Sequence, residues 1–305
     1  MQNKYLYSFC MLLLIGALVV CGTILIQQGQ KKEKKEEADL TVVTSFYPMY
    51  IAVENLTEGT KGITLKNLSE PETGCLHDFQ LTPGDMKLLS TADVFIVNGS
   101  GAESFLQDVI KAYPKLTTVD ATAGIDGISE DVGMHAWMSP GLYEKEIKAI
   151  SKALKKLCPE EKALISGNEK AYLSSLQDLE NRVKEDAKAL KKAGISHVIL
   201  FSEAYEGLCD DLGLRVTYLL DLDEERQVSS GEVAEVIKAV QEHPEAFIIA
   251  EAPYGEDMAN TVKEQTGTRV VFFDTLTRGD YQKNRYLDGM KKNLDAMEEI
   301  IYEAD

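Results

Sequence analysis

Between Pro159 and Ala193 the chain reads "PEEKALISGNEKAYLSSLQDLENRVKEDAKALKKA", helical in pattern throughout and closed by Gly194. Only Gly167 weakens or bends it, near its start. About thirty residues of helix span roughly 45 Å at 1.5 Å per residue. That exceeds most helices of globular proteins and suits a strut between two bodies. On both sides of the strut, strands alternate with helices. "LTVVT", "GITLKNLSE", "DVFIVNGSG" and "KLTTVDAT" precede it; "SHVILFS", "LRVTYLLDLD", "AFIIAEAP" and "TRVVFFDTL" follow it. These are short, β-branched, apolar runs separated by amphipathic stretches such as "SFLQDVIKAY" and "SSGEVAEVIKAVQEHP". Alternation of this kind implies parallel sheets covered by helices. The expected fold is α/β, with two lobes that each hold a parallel sheet flanked by helices, joined by one long rigid helix. The expected divisions are residues 40–158, 159–193 and 194–305.

Residues 1–39 differ in kind. Tyr5 to Ile26 is an apolar run without charge, preceded by Lys4, of about the length that crosses a bilayer. It reads as an uncleaved signal anchor or as a lipoprotein signal cut before Cys21, which would carry the lipid. Val20 and the apolar Ile24–Ile26 fit the anchor better. Both readings tether the body to a cell membrane on its extracytoplasmic face. Gln27 to Asp39, with "KKEKKEE", is a solvated spacer. The net charge of −18 argues against a nucleic-acid partner. Cys75, Cys158 and Cys209 form no CxxC and no disulfide framework, so they read as free or packed thiols.

In a parallel α/β body, ligands bind outside the carboxyl ends of the strands. The ionisable residues there are few, in a chain with four histidines. His77 lies in the loop before a helix with Thr82 as N-cap and Pro83 at its first position; His135 lies in the loop "GMHAWMSP". Glu203 follows "HVILFS", and Asp274 ends "RVVFFD". Two imidazoles and two carboxylates from four loops suit a divalent transition metal and select against calcium and magnesium. His197, at the start of its strand, is an alternative ligand if the register shifts; otherwise it is a strand-start residue near the surface. His243, before Pro244, fits a helix end and no more. Trp137 reads as packing.

The segments "VVTSFYPMYIAVENL", "LHDFQLTPGDMKLLSTADVFIVNGSGAESFL", "MHAWMSP" and "YLDGMKKNLDAMEEI" resemble the metal-binding proteins of zinc and manganese ABC importers, the group with a rigid helix between two lobes. The likeness runs from about Leu40 to the end. Where the family has "PHDYEPTPSD" this chain has "LHDFQLTPGD", and "HVWLDP" becomes "HAWMSP", with Ser139 in place of an aspartate. The resemblance implies metal ligands at His77 and His135, a third at Glu203 or at the neighbouring Ser202, and a fourth at Asp274 or Asp280. It implies Mn2+ or Zn2+ as transported cargo, a permease and an ATPase as partners, a monomer, and no catalysis. Two other functions are the alternatives. A metallohydrolase would use three of these ligands plus a water, but no HExxH or GxSxG accompanies them. Adhesion would be a role added to transport.

Overall fold

The computed structural model describes residues 40–74, 76, 79–222 and 228–302. Strands β1 (Leu40–Thr44), β2 (Ile63–Asn67), β3 (Val94–Val97) and β4 (Thr117–Asp120) form one sheet in the order β2-β1-β3-β4. Strands β5 (His197–Leu200), β6 (Arg215–Leu219), β7 (Phe247–Glu251) and β8 (Val270–Phe273) form a second, in the order β6-β5-β7-β8. All pairings are parallel. Each sheet therefore repeats one winding, and the strand order reverses between β1 and β3 and again between β5 and β7. Such reversal points leave a crevice outside the carboxyl ends, where α/β proteins bind ligands.

The elements form where local chemistry directs them. Every residue of β3 is buried, which explains an unbroken "VFIV" in place of alternation. Helix α1 (Tyr47–Thr57) begins with Pro48 in its first turn. Helix α2 (Pro83–Leu89) is started by a complete capping box: the Thr82 hydroxyl accepts from the Asp85 amide, and the Thr82 amide donates to the Asp85 carboxylate. Helices α3 (Leu106–Ala112), α4 (Glu130–Met134) and α5 (Pro140–Leu157) complete the first half.

The strut is α6, Lys162–Lys192, entered through a single 3-10 turn at Pro159–Glu161 and followed by Gly194 at φ +74°. The expected helix is present, and it runs through Gly167 without interruption. Its apolar stripe of Leu176, Leu179, Val183 and Leu190 is buried against α5, α1 and the last helix, α10 (Arg285–Tyr302). Helix α10 is also clamped from outside: the Arg182 guanidinium sits 2.7 Å from Asp295 and 2.9 Å from Glu298. One buried apolar cluster runs from Val42 through the strut to Ile301 and so includes residues of both sheets. A second, smaller one lies under α8 (Ser230–Glu242) and α9 (Ala252–Thr266), around Ile199, Phe201, Ile248 and Val262. The short α7 (Glu206–Asp211) follows a 3-10 turn at Glu203–Tyr205. Cys158 and Cys209 are free and buried. Cys75 and the candidate anchor with Cys21 lie outside the described residues. Among the described residues, no helix is long and apolar enough to cross a membrane.

Candidate metal centre

His135 is held in a joint between two short helical turns. The sequence suggests a plain loop; instead α4 precedes the histidine and a 3-10 turn, Ala136–Met138, follows it. These turns are too short to show periodicity, and their signal is the cap: the Ser129 hydroxyl accepts from the Val132 amide at 3.2 Å. Asn98, at the end of β3, carries the joint from below. Its amide donates to the carbonyls of Gly133 (3.0 Å) and Met134 (3.3 Å), just before His135. Gly133 lets Ser100 pack against the joint, because a Cβ there would collide with the Ser100 side chain. His135 is 2% exposed, and its ring lies 5.3 Å from that of Trp137.

Asn98 is itself supported by a buried acid. Glu103 accepts from the amides of Asn98 (2.8 Å) and Gly99 (3.0 Å) and from the Ser45 hydroxyl (2.7 Å), which links the ends of β1 and β3. Burial raises the Glu103 pKa, and those three donors oppose the shift.

The second sheet supplies the other side. Glu203 opens the turn that follows β5, and this turn lies against α4, the helix that precedes His135. Gly207, one turn on, packs against Val132, where a Cβ would lie 3.2 Å from the Val132 side chain. Ser202 serves as the cap of the Glu203 turn, accepting from the Ala204 amide at 3.3 Å. Ser139 caps α5 through the Leu142 amide and donates to Asp211 on α7. Trp137 donates its indole N–H to the Thr275 carbonyl at 2.8 Å, and Tyr286 donates to the Trp137 carbonyl at 2.8 Å. The segment that follows His135 is thus tied to the loop after β8. That loop also reaches the first sheet's side: Tyr47 donates to the Asp280 carbonyl, and Arg278 packs over Gly74, whose φ of +81° and missing Cβ leave room for it.

Asp274 follows β8 as expected. Its carboxylate accepts from the Leu276 amide at 2.7 Å and from Arg285. Burial alone would lower the Arg285 pKa; the bond to Asp274 and the nearby Asp274, Tyr47 and Asp280 outweigh it, and the pKa is raised. Asp280 is exposed, and its carboxylate accepts from Gln282. His197 lies at the opposite end of β5 from Glu203, beside Glu245. His77 lies outside the described residues. Among the described residues, His135, Glu203 and Asp274 do not bring their donor atoms within 4.8 Å of one another; the three-residue group that does is His197, His243 and Glu245. Glu251, absent from the residues that the sequence singles out, ends β7 at the reversal point of the second sheet, where it accepts from the Thr275 hydroxyl at 3.0 Å. The signal, an acid at the end of "AFIIAE", was of the same kind as at Asp274.

These features define a helix-linked, two-sheet α/β binding protein. Metal-dependent lipoprotein YcdH from Bacillus subtilis superposes with a TM-score of 0.73 at 27% identity, over 85% of this chain and 98% of that one. The solute-binding protein FpvC from Pseudomonas aeruginosa, solved in complex with Ni2+, shares the fold with a TM-score of 0.76 at 23% identity, over 87% and 98% of the two chains. The family model described as "ZnuA: Zinc-uptake complex component A periplasmic" matches residues 42–300, and the chain belongs to this family. Among relatives, the high-affinity zinc uptake system protein ZnuA of Bacillus subtilis is 27% identical over 98% of this chain and 97% of its own length. The manganese-binding lipoprotein MntA of Halalkalibacterium halodurans is 23% identical over 97% and 98%.

Proposed function

We propose that this chain captures a divalent transition metal, Mn2+ or Zn2+, between its two lobes outside the cytoplasm and delivers it to the permease and ATPase of an ABC importer. His77, His135, Glu203 and Asp274 are the proposed ligands. The observation that carries the reading is the placement of His135: a buried imidazole, in a joint held by Asn98, against the turn that bears Glu203. A chain with four histidines places this one where the two sheets' loops meet. Membership of the ZnuA family supports uptake over catalysis, and the relatives' names, zinc uptake in one and manganese binding in the other, support this pair of metals. The reading extends to residues 40–158 and 194–305 as the two lobes, with 159–193 as the linker.

Arg285 fits the reading as a counter-ion. It neutralises Asp274, and a cation that takes Asp274 must replace that contact. Tethering through residues 1–39, by the apolar segment itself or by lipid on Cys21, is supported by the relative named a lipoprotein.

Calorimetry of the full chain with Zn(II) and with Mn(II) tests the proposal. Tight 1:1 binding at neutral pH is expected, weakening as pH falls because protons compete for the imidazoles. Absence of such binding, or equal affinity in a His77→Ala, His135→Ala double variant, refutes it.

A further inference from the structure

Half of the chain's four histidines stand away from the proposed capture site. His197 is the first residue of β5, and His243 ends α8. Parallel pairing of β5 with β7 sets Val198 opposite Phe247, which brings His197 beside the segment that precedes β7. The two imidazole ring centroids lie 4.1 Å apart at 32°, and Glu245 is beside both. Its Oε1 is 2.6 Å from Nδ1 of His197 and 3.9 Å from Nδ1 of His243. One donor atom from each of the three residues falls within 4.8 Å of the others.

We propose that His197, His243 and Glu245 form a second binding site for a borderline divalent cation of the Zn(II), Ni(II) or Cu(II) class. A tetrahedral ion with bonds near 2.0–2.1 Å holds its ligands about 3.3 Å apart. The two oxygen–nitrogen spacings, 2.6 and 3.9 Å, lie on either side of that value. The backbone that carries two of the ligands is already set. Pro244 separates them, the Ala246 amide donates to the His243 carbonyl at 2.9 Å, and Arg269 donates to the Glu245 carbonyl at 3.0 Å and to the Ile300 carbonyl at 2.8 Å. Thr268 donates to the Ala246 carbonyl at 3.1 Å. The Ser196 hydroxyl, 3.1 Å from His197 Nδ1, is the other polar neighbour of that nitrogen.

Imidazole donors disfavour calcium and magnesium. Three protein ligands leave a fourth position to water, and the side chains are 19%, 34% and 35% exposed. The site is therefore open and exchanges its ion with solvent. It lies at the amino ends of the strands, whereas the capture site is proposed at their carboxyl ends, so the two are independent. The competing account is a plain contact between His197 and Glu245 that holds no ion.

Equilibrium dialysis of the full chain against Zn(II), with bound metal counted by elemental analysis, separates these accounts. Two equivalents are expected, one tight and one weaker. His243→Ala and Glu245→Gln should each weaken the second by at least the roughly 10–100-fold that follows from losing an outer-shell partner, and leave the first intact. His135→Ala should do the reverse; a tight equivalent that His135→Ala leaves unchanged counts against the capture reading alone. In a His77→Ala, His135→Ala variant, whose remaining histidines are His197 and His243, one equivalent of Cu(II) should give a paramagnetic resonance signal split by two imidazole nitrogens. The proposal is overturned if no bound equivalent responds to His243→Ala or Glu245→Gln, or if the Cu(II) signal shows oxygen ligands only.

Discussion

Asn98 spans the step from buried network to candidate ligand. Its side chain satisfies two carbonyls at the end of α4, and its backbone amide is taken by Glu103. Asn98→Ala removes the side-chain donor to those carbonyls in a buried place, which costs about 1–3 kcal/mol. It also frees the His135 joint, so Zn(II) affinity should fall roughly 10–100-fold, as for the loss of a partner that orients a ligand. Denaturant unfolding and calorimetry read the two effects separately; unchanged affinity would remove Asn98 from the site. Arg285 makes the opposite prediction. Arg285→Gln removes the counter-ion of Asp274, so metal-free stability should drop while metal affinity rises. A fall in affinity would mean that Arg285 orients the carboxylate and does not compete for it.

At the scale of elements, the strut carries a concealed cost. Asp186 is 5% exposed on the face of α6 that meets α10, and its pKa is raised to about 6 from 3.8. Burial is the largest cause. Arg182 opposes the shift, while Glu298, Glu185 and Asp295 add to it. With its folded-state pKa above the ordinary value, the native chain binds this proton more tightly than the unfolded chain does. The favourable contribution is present below pH 4 and is lost as pH rises through about 6. Asp186→Asn should therefore stabilise the chain at pH 7.5 by on the order of 1–3 kcal/mol, with the gain vanishing near pH 4. Thermal melts across that range check the sign. Helix α2 carries a simpler dependence: Thr82→Ala breaks the capping box and should cost about 1 kcal/mol in chemical unfolding. The Thr82 cap is legible in the sequence from its threonine-proline pair; the structure adds a second capping box, Ser229 with Glu232, at the start of α8. The turns around His135 are not legible there, because five and three residues are too few to display a helical period.

At the scale of the whole molecule, Trp137 reports on the seam. It is the single tryptophan of the chain, buried, beside His135, and hydrogen-bonded across to Thr275. Its emission should change as the first equivalent of metal binds and stay constant as the second binds to the His197 group. A change that tracks the second equivalent would contradict the separation of the two sites, and no change at all would contradict capture beside His135.

The alternation of strand and helix, the unbroken helical run from Pro159 and the β-branched strand segments were enough to specify an α/β body of two sheets and a strut, because these are local periodicities. The end of β5 is equally local, which is why Glu203 could be singled out; that its turn meets the helix before His135 is a tertiary contact. Strand order was a different matter. The reversal between β5 and β7 depends on which strands pair across some fifty residues, and nothing in one segment encodes its neighbour. That pairing takes His197 away from Glu203 and sets it beside His243 and Glu245, a grouping that only tertiary contact could create. The hold of Arg285 on Asp274 and the tie of Trp137 to Thr275 arise in the same way, from side chains brought together by packing after their elements are formed.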